Sequence, residues 1–202
     1  MRLLDISEEA IRKSLADWRG PVEDVPRPVN LFNRPRRQAG VLIPLTQIEG
    51  DWHLLFIRRT EHEYDHHGGQ VAFPGGGLDP QDGSPTEAAL REAHEEIGLP
   101  PDRVRILGKL ARAVSVTNYD VTPVVGSFDW PFEIRPEPGE VARVFTIPMA
   151  WLADPENHEI RFRRFPPHKP RPVIYFRKYD GELLWGFTAR LTLNLLEALN
   201  SK

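Results

Sequence analysis

Apolar positions recur along this chain with two periods, and the change from one to the other marks out the elements. Ile11, Leu15 and Trp18 fall at helical spacing behind Ser7, a residue suited to capping, so residues 8–18 are expected to form an amphipathic helix docked on the main body. Between residues 20 and 37, Pro21, Pro26, Pro28 and Pro35 remove backbone donors and fit an extended connector. Residues 40–45 and 52–58 are apolar runs on either side of a polar Glu49-Gly50-Asp51 turn and read as a strand pair. A polar, histidine-rich segment follows at 60–69, then a short strand at 70–73 that runs into Pro74-Gly75-Gly76-Gly77, where the glycines point to a loop. Ser84-Pro85-Thr86-Glu87 supplies a cap, a proline for the first turn and a capping-box glutamate, while Gly98, Pro100 and Pro101 stop the same element; a helix over Pro85–Ile97 is expected. Strand-like runs come at 104–116, 122–128, 141–147, 158–165 and 173–179. Asp180-Gly181 suggests a hairpin turn into 183–185, and Leu191, Leu195 and Leu199 behind a Thr188 cap form a C-terminal helix whose role is packing.

With 202 residues, 40% of them hydrophobic, the chain is long enough for one domain with extensions. The formal net charge of -3 offers no basic footprint for nucleic acid or an anionic membrane. There are no cysteines, so disulfides, thiolate zinc sites and a cysteine nucleophile are excluded, and any metal must be held by oxygen or imidazole. Asp5, Glu8 and Glu9 are out of place in a signal peptide, and no apolar run has transmembrane length; a cytoplasmic protein is the expectation.

The chemistry concentrates on the 85–97 helix. Glu92, Glu95 and Glu96 stand at i, i+3 and i+4, within an arc of roughly 100 degrees, and Arg91 is the adjacent positive charge. Leu90, Ala93 and Ile97 lie toward the opposite side and are expected to bury on the sheet. Clustered carboxylates suit a hard cation such as Mg2+ or Mn2+. A solvated acidic helix face is the competing reading, since like-charge pairs on a helix cost only about 0.2–0.5 kcal/mol.

The wider pattern decides between them. Gly77 followed by Arg91-Glu92-Ala93-His94-Glu95-Glu96-Ile97-Gly98-Leu99 resembles the signature of the Nudix hydrolases; a chance match at its charged and glycine positions is on the order of one in a hundred thousand. The resemblance implies an α/β/α sandwich with a mixed sheet over residues 39–202, preceded by a helix and proline-rich connector at 1–38. It implies water attack on a phosphorus of a diphosphate assisted by divalent metal. Glu92, Glu95 and Glu96 become metal ligands, with Glu92 or Glu95 also a candidate base, and Arg91 orients a glutamate. Where the signature has a glutamate six residues after the glycine, this chain has Gly83, preceded by Asp82. Relatives often add an acid from a later loop, and Glu137 and Glu140 are candidates, Glu140 being carried forward as a ligand.

Leu54-Leu55-Phe56-Ile57-Arg58 and Gly69-Gln70-Val71-Ala72-Phe73-Pro74-Gly75-Gly76 resemble the second signature of coenzyme A pyrophosphatases within that superfamily, as does Trp185-Gly186-Phe187-Thr188-Ala189-Arg190. The upstream part departs: Phe56 replaces a threonine, and Asp65 sits where a second arginine is expected. The implied reaction splits coenzyme A into adenosine 3',5'-bisphosphate and 4'-phosphopantetheine. Arg58 and Arg59 are candidate phosphate contacts, or else surface arginines at a strand end. Phe73 is a candidate wall residue or a core residue, and Gly75, Gly76 and Gly77 could offer N–H groups to a phosphate or form a tight turn. His62, His66 and His67 lack metal-ligand spacing on a regular element. The alternatives are a Nudix enzyme for another diphosphate, such as ADP-ribose or a dinucleotide, and a noncatalytic nucleotide-binding module. Relatives commonly form homodimers.

Overall fold

In the computed structural model, residues 6–20, 35–61, 68–164 and 170–200 are described. Most of the proline connector and the three histidines at 62, 66 and 67 lie outside them. The strand β1 (Arg37–Ile48) carries different partners on its two edges. Along one edge β7 (Tyr119–Ser127) runs parallel to it, from Arg37 opposite Tyr119 to Leu45 opposite Ser127. Along the other, its C-terminal half pairs antiparallel with β2 (Asp51–Arg59) through a turn in which Glu49 and Gly50 both have positive φ. Beyond Leu45 and Leu54 the two strands splay apart, and the returning chain fills the gap. There β3 (Val71–Ala72) pairs with Ile57 and Arg58, and β4 (Gly75–Gly77) pairs with Ala39, Gly40 and Val41. The Leu42 N–H donates to the carbonyl of Pro74 at 2.9 Å and closes the seam.

The segment expected as a glycine loop is therefore a strand, because its backbone finds partners on β1 that lie far away in sequence. The run expected at 104–116 divides into β5 (Arg105–Lys109) and β6 (Ala113–Val114), both antiparallel to β7. Between the two stands Pro123 of β7, which has no N–H to extend a ladder, although its carbonyl accepts from Leu110 N–H at 3.0 Å. On the outer edge of β2 lies β8 (Val141–Pro148), antiparallel, so one parallel pairing among antiparallel ones makes the sheet mixed. A separate two-stranded ribbon joins β9 (His158–Arg163) to β10 (Arg171–Phe176).

Alternation along β1 and β2 divides the core in two. Leu42, Leu55 and Ile57 point to one face, where α2 (Pro85–Ile97) lays down Ala89, Ala93 and Ile97; Leu90 is only partly buried there. Ile43, Leu45, Leu54 and Phe56 point to the other, against Ile11 and Leu15 of α1 (Glu8–Asp17) and Leu191, Leu195 and Leu199 of α4 (Gly186–Asn200). A short α3 (Met149–Ala153) closes one end with Met149 and Leu152. Helices on both faces of a mixed sheet make an α/β/α sandwich.

The ends of α2 follow the sequence closely: Ser84 Oγ accepts from Glu87 N–H at 3.3 Å, and Gly98 closes the helix in the left-handed conformation. At the other helix the start moves. α4 begins at Gly186, whose positive φ turns the chain directly out of the Trp185–Tyr175 bridge, so Thr188 lies inside the first turn rather than capping it. Of residues 183–185 only Trp185 is bridged, to Tyr175, and no strand forms there. Among the described residues no helix is long and apolar enough to cross a membrane.

α1 is fastened by charge as well as by Ile11 and Leu15. Glu8 Oε1 accepts from Arg105 Nη2 at 2.9 Å and from the buried Ser127 Oγ at 2.7 Å. The Arg105 hydrogen bond holds the Glu8 carboxyl below its ordinary value of 4.5. A carboxyl with a lower pKa folded than unfolded stabilises the fold above about pH 4.5, and that contribution disappears as pH falls through the folded value. Glu8→Gln should therefore cost about 1 kcal/mol at pH 7, read by urea denaturation, and the gap to the parent chain should narrow as the pH is taken below the ordinary carboxyl value of 4.5.

Candidate active site

The approach of α2 to the sheet is close enough to exclude side chains. A Cβ on Gly40 would lie 1.8 Å from the carbonyl oxygen of Pro85, and one on Gly76 would lie 2.3 Å from Glu92 Oε1. The Glu92 carboxylate consequently rests on the backbone of β4. One turn along, Glu96 Oε2 accepts from Gly75 N–H at 3.0 Å, and Gly75 holds a φ of 153° that disfavours any residue with a side chain.

The three glutamates of the acidic face are not equivalent. Their side-chain exposures are 2% for Glu96, 18% for Glu92 and 56% for Glu95. Burial pushes the Glu96 carboxyl up to about 8; the Gly75 N–H and Arg59 oppose the shift, while Glu92 and Glu140 add to it. Arg59 Nη1 stands 3.8 Å from Glu96 Oε1. Burial also raises Glu92, against the pull of Arg91, and Glu140 again adds repulsion. The exposed Glu140 reaches this field because its loop is tied down: Glu137 N–H donates to the Glu96 carbonyl at 2.9 Å and Thr60 N–H to the Glu140 carbonyl at 2.8 Å. Glu95 is drawn to Arg91, with Oε2 2.7 Å from Nη1. As the side chains stand, no three acidic or histidine groups among the described residues close on a common point.

Arg91 is the hub of the loop before the helix. Its Nε and Nη2 donate to Asp82 at 3.0–3.3 Å and Nη2 also donates to the Gly77 carbonyl at 3.2 Å, while Glu92 Oε1 lies 3.1 Å away. The Asp82 side chain is 4% exposed, and the Arg91 hydrogen bonds lower its pKa. Asp82 thus braces Arg91 and the loop, one residue before Gly83, where the signature would have its glutamate. Gly83 N–H is taken by Glu87 Oε2 at 3.0 Å. The acidic residue beside the gap was the available signal for this role.

A cavity of about 570 Å³ borders β4. Arg59, Phe73, Gly75, Gly76 and Gly77 all line it. Phe73 is also a core residue, 4% exposed and stacked on Phe56 at 4.7 Å. Arg58 is absent from the lining; its Nη1 lies 3.3 Å from the buried Glu182, an ion pair shared with Arg143, because alternation sends it away from Arg59. Other walls come from residues not anticipated as site residues: Tyr119, Trp185, and the arginines Arg171 and Arg190. Arg190 belongs to the helix assigned a packing role, and its neighbour Leu191 does pack in the core.

A model of the NUDIX domain family matches residues 36–176. α1 and α4 lie outside that span yet share its core. The chain is 39% identical over 174 residues to the uncharacterized Nudix hydrolase NudL of Enterobacter sp. (strain 638), covering 83% of this chain and 85% of that protein. It is 40% identical over 169 residues to the protein of the same description from Escherichia coli (strain K12), with the same coverage. Among solved structures, a MutT/nudix family protein from Enterococcus faecalis superposes with a TM-score of 0.51 over 84% of this chain and 63% of that one at 14% identity, a likeness of fold. With the family model covering most of its length and relatives at this identity, the chain belongs to the Nudix hydrolases.

Proposed function

We propose that this Nudix hydrolase cleaves the diphosphate of coenzyme A, with Mg2+ or Mn2+, to adenosine 3',5'-bisphosphate and 4'-phosphopantetheine. The observation that carries the reading is a carboxylate nearly withdrawn from water, Glu96, set on the Gly75 N–H beside Glu92 and within the field of Glu140, at the edge of a cavity walled by the same glycines. An all-carboxylate donor set in which Glu92 and Glu96 are pushed up by burial and by neighbouring carboxylates fits a hard divalent cation, which offsets both penalties. Glu92, Glu96 and Glu140 would hold it, with the exposed Glu95 as a further donor. A bound cation supplies charge neutralisation at the diphosphate and orientation of the attacking water.

The chain's own residues supply the rest. Water attacks one phosphorus, the bridging P–O bond breaks, and the two phosphate products carry away the added hydroxyl and proton. Glu92 or Glu95 accepts the proton in this reading, and Arg91, fixed by Asp82, holds both carboxylates in place. Arg59 faces the cavity next to Glu96 and is the phosphate contact; Phe73, Gly75, Gly76 and Gly77 shape the wall. Support for coenzyme A itself comes from the second signature and from a cavity that joins apolar walls to arginines.

Incubation with Mg2+ or Mn2+ and a panel of diphosphates, with products separated by chromatography, should show coenzyme A consumed; intact coenzyme A beside hydrolysed ADP-ribose would reject the substrate and keep the family. Glu96→Gln keeps the shape of the buried side chain but cannot become a carboxylate, so it should keep the fold, measured by circular dichroism, while kcat drops at least ~100-fold. Glu140→Ala is expected to raise the metal concentration that gives half-maximal rate. Asp82→Ala strips the buried partner from Arg91 and should lower stability by about 1–3 kcal/mol in denaturant titrations, with kcat falling in parallel.

A further inference from the structure

Two cavity arginines take no part in the chemistry above. Arg171 opens β10, and Arg190 lies just inside the start of α4. Both line the cavity, on walls formed by elements other than β4. Among the described residues neither has a carboxylate within ion-pair distance, whereas Arg58, Arg91, Arg105 and Arg143 all do. Arg190 is partly buried, and burial, then the like charge of Arg171, holds its guanidinium below the usual range. The surroundings add positive charge. Arg163 of β9, opposite Arg171 in the ribbon, stacks over Trp185 at 5.4 Å, and Trp185 is itself a cavity wall lying flat against Tyr175 at 5.5 Å.

A half-desolvated arginine beside a second arginine, with no counter-charge, is a cost the fold bears without a packing reason, since an apolar side chain would fill the same wall. Guanidinium forks match phosphate oxygens bidentately, and two of them balance a dianion. We infer that Arg171 and Arg190 form a subsite for a phosphate monoester of the substrate, separate from the diphosphate that is cleaved. The inference rests on this cavity being the substrate cavity. The diphosphate belongs beside β4 and the carboxylates; the second phosphate belongs on the β10 and α4 walls. Two positions on a nucleotide could provide such a group, the ribose 3'-phosphate and the ribose 2'-phosphate.

The test separates binding from turnover. With the full chain and no added metal, calorimetry would compare adenosine 3',5'-bisphosphate, adenosine 2',5'-bisphosphate and AMP. One bisphosphate should bind at least ~10-fold tighter than AMP, and which one does identifies the ribose position. Arg190→Met and, independently, Arg171→Met should shrink that advantage to within ~3-fold, with thermal midpoints unchanged or raised. In turnover, the ratio of kcat/KM for coenzyme A to that for dephospho-coenzyme A should fall toward one in both variants, through KM. Bisphosphates that bind no better than AMP, or an advantage that survives both substitutions, would overturn the subsite even if both compounds are hydrolysed. If neither compound is cleaved while the bisphosphate preference persists and depends on the arginines, the subsite stands and the proposed reaction falls.

Discussion

A carboxylate side chain resting on backbone, with almost no water around it, is expensive: the effective cost of burying one ion is several kcal/mol. Glu96 receives one N–H from Gly75 and a guanidinium at 3.8 Å, which is partial compensation, and burial still pushes its carboxyl up to about 8. Nothing in the packing requires a glutamate there; Ala93 and Ile97 on either side already seal α2 to the sheet. The arrangement also leaves no room for a side chain at Gly40, where the Pro85 carbonyl of α2 stands, at Gly76, where the Glu92 carboxylate rests, or at Gly75, which is closed by the Gly40 carbonyl and Val41 of β1. Helix caps, the splayed β1–β2 pair and the inserted β4 are the means by which that close approach is held.

The splay explains why the site is where it is. If β1 and β2 had stayed paired along their length, the segment 71–77 would have no edge to occupy. Instead Gly75 to Gly77 pair with β1 on a helix-covered seam, and the same three residues border the cavity. β4 is thus the thin partition between the carboxylates and the cavity.

What the sequence revealed depended on how local the cause was. α2 was legible to the residue, since Ser84, Pro85, Glu87 and Gly98 act within a single turn of the positions they cap. The spacing of the three glutamates was legible for the same reason. Their ranking by burial was not, because Glu96 is covered by β4 and the 137–140 loop, partners that only the tertiary fold supplies. Strand β4 was hidden by its composition: glycine reads as loop unless a distant strand supplies pairing. Arg58 and Arg59 are adjacent in sequence and face opposite directions in a strand, so resemblance named both while register selected Arg59 for the cavity.

Among the described residues some arginines are held by carboxylates and others are not, and that difference carries information that their number does not. Arg91 and Arg143 each hold carboxylates in fixed networks, and Arg58 joins the second through Glu182. Such groups are already neutralised, so a ligand phosphate gains little from approaching them. Arg171 and Arg190 line a partly apolar cavity with no carboxylate in ion-pair distance among the described residues, and weaker screening there makes a guanidinium worth more to an incoming anion. Selection among diphosphates that share one scissile linkage must come from groups that touch the rest of the molecule, and unspent charge on the walls away from β4 is the kind of group that discriminates there.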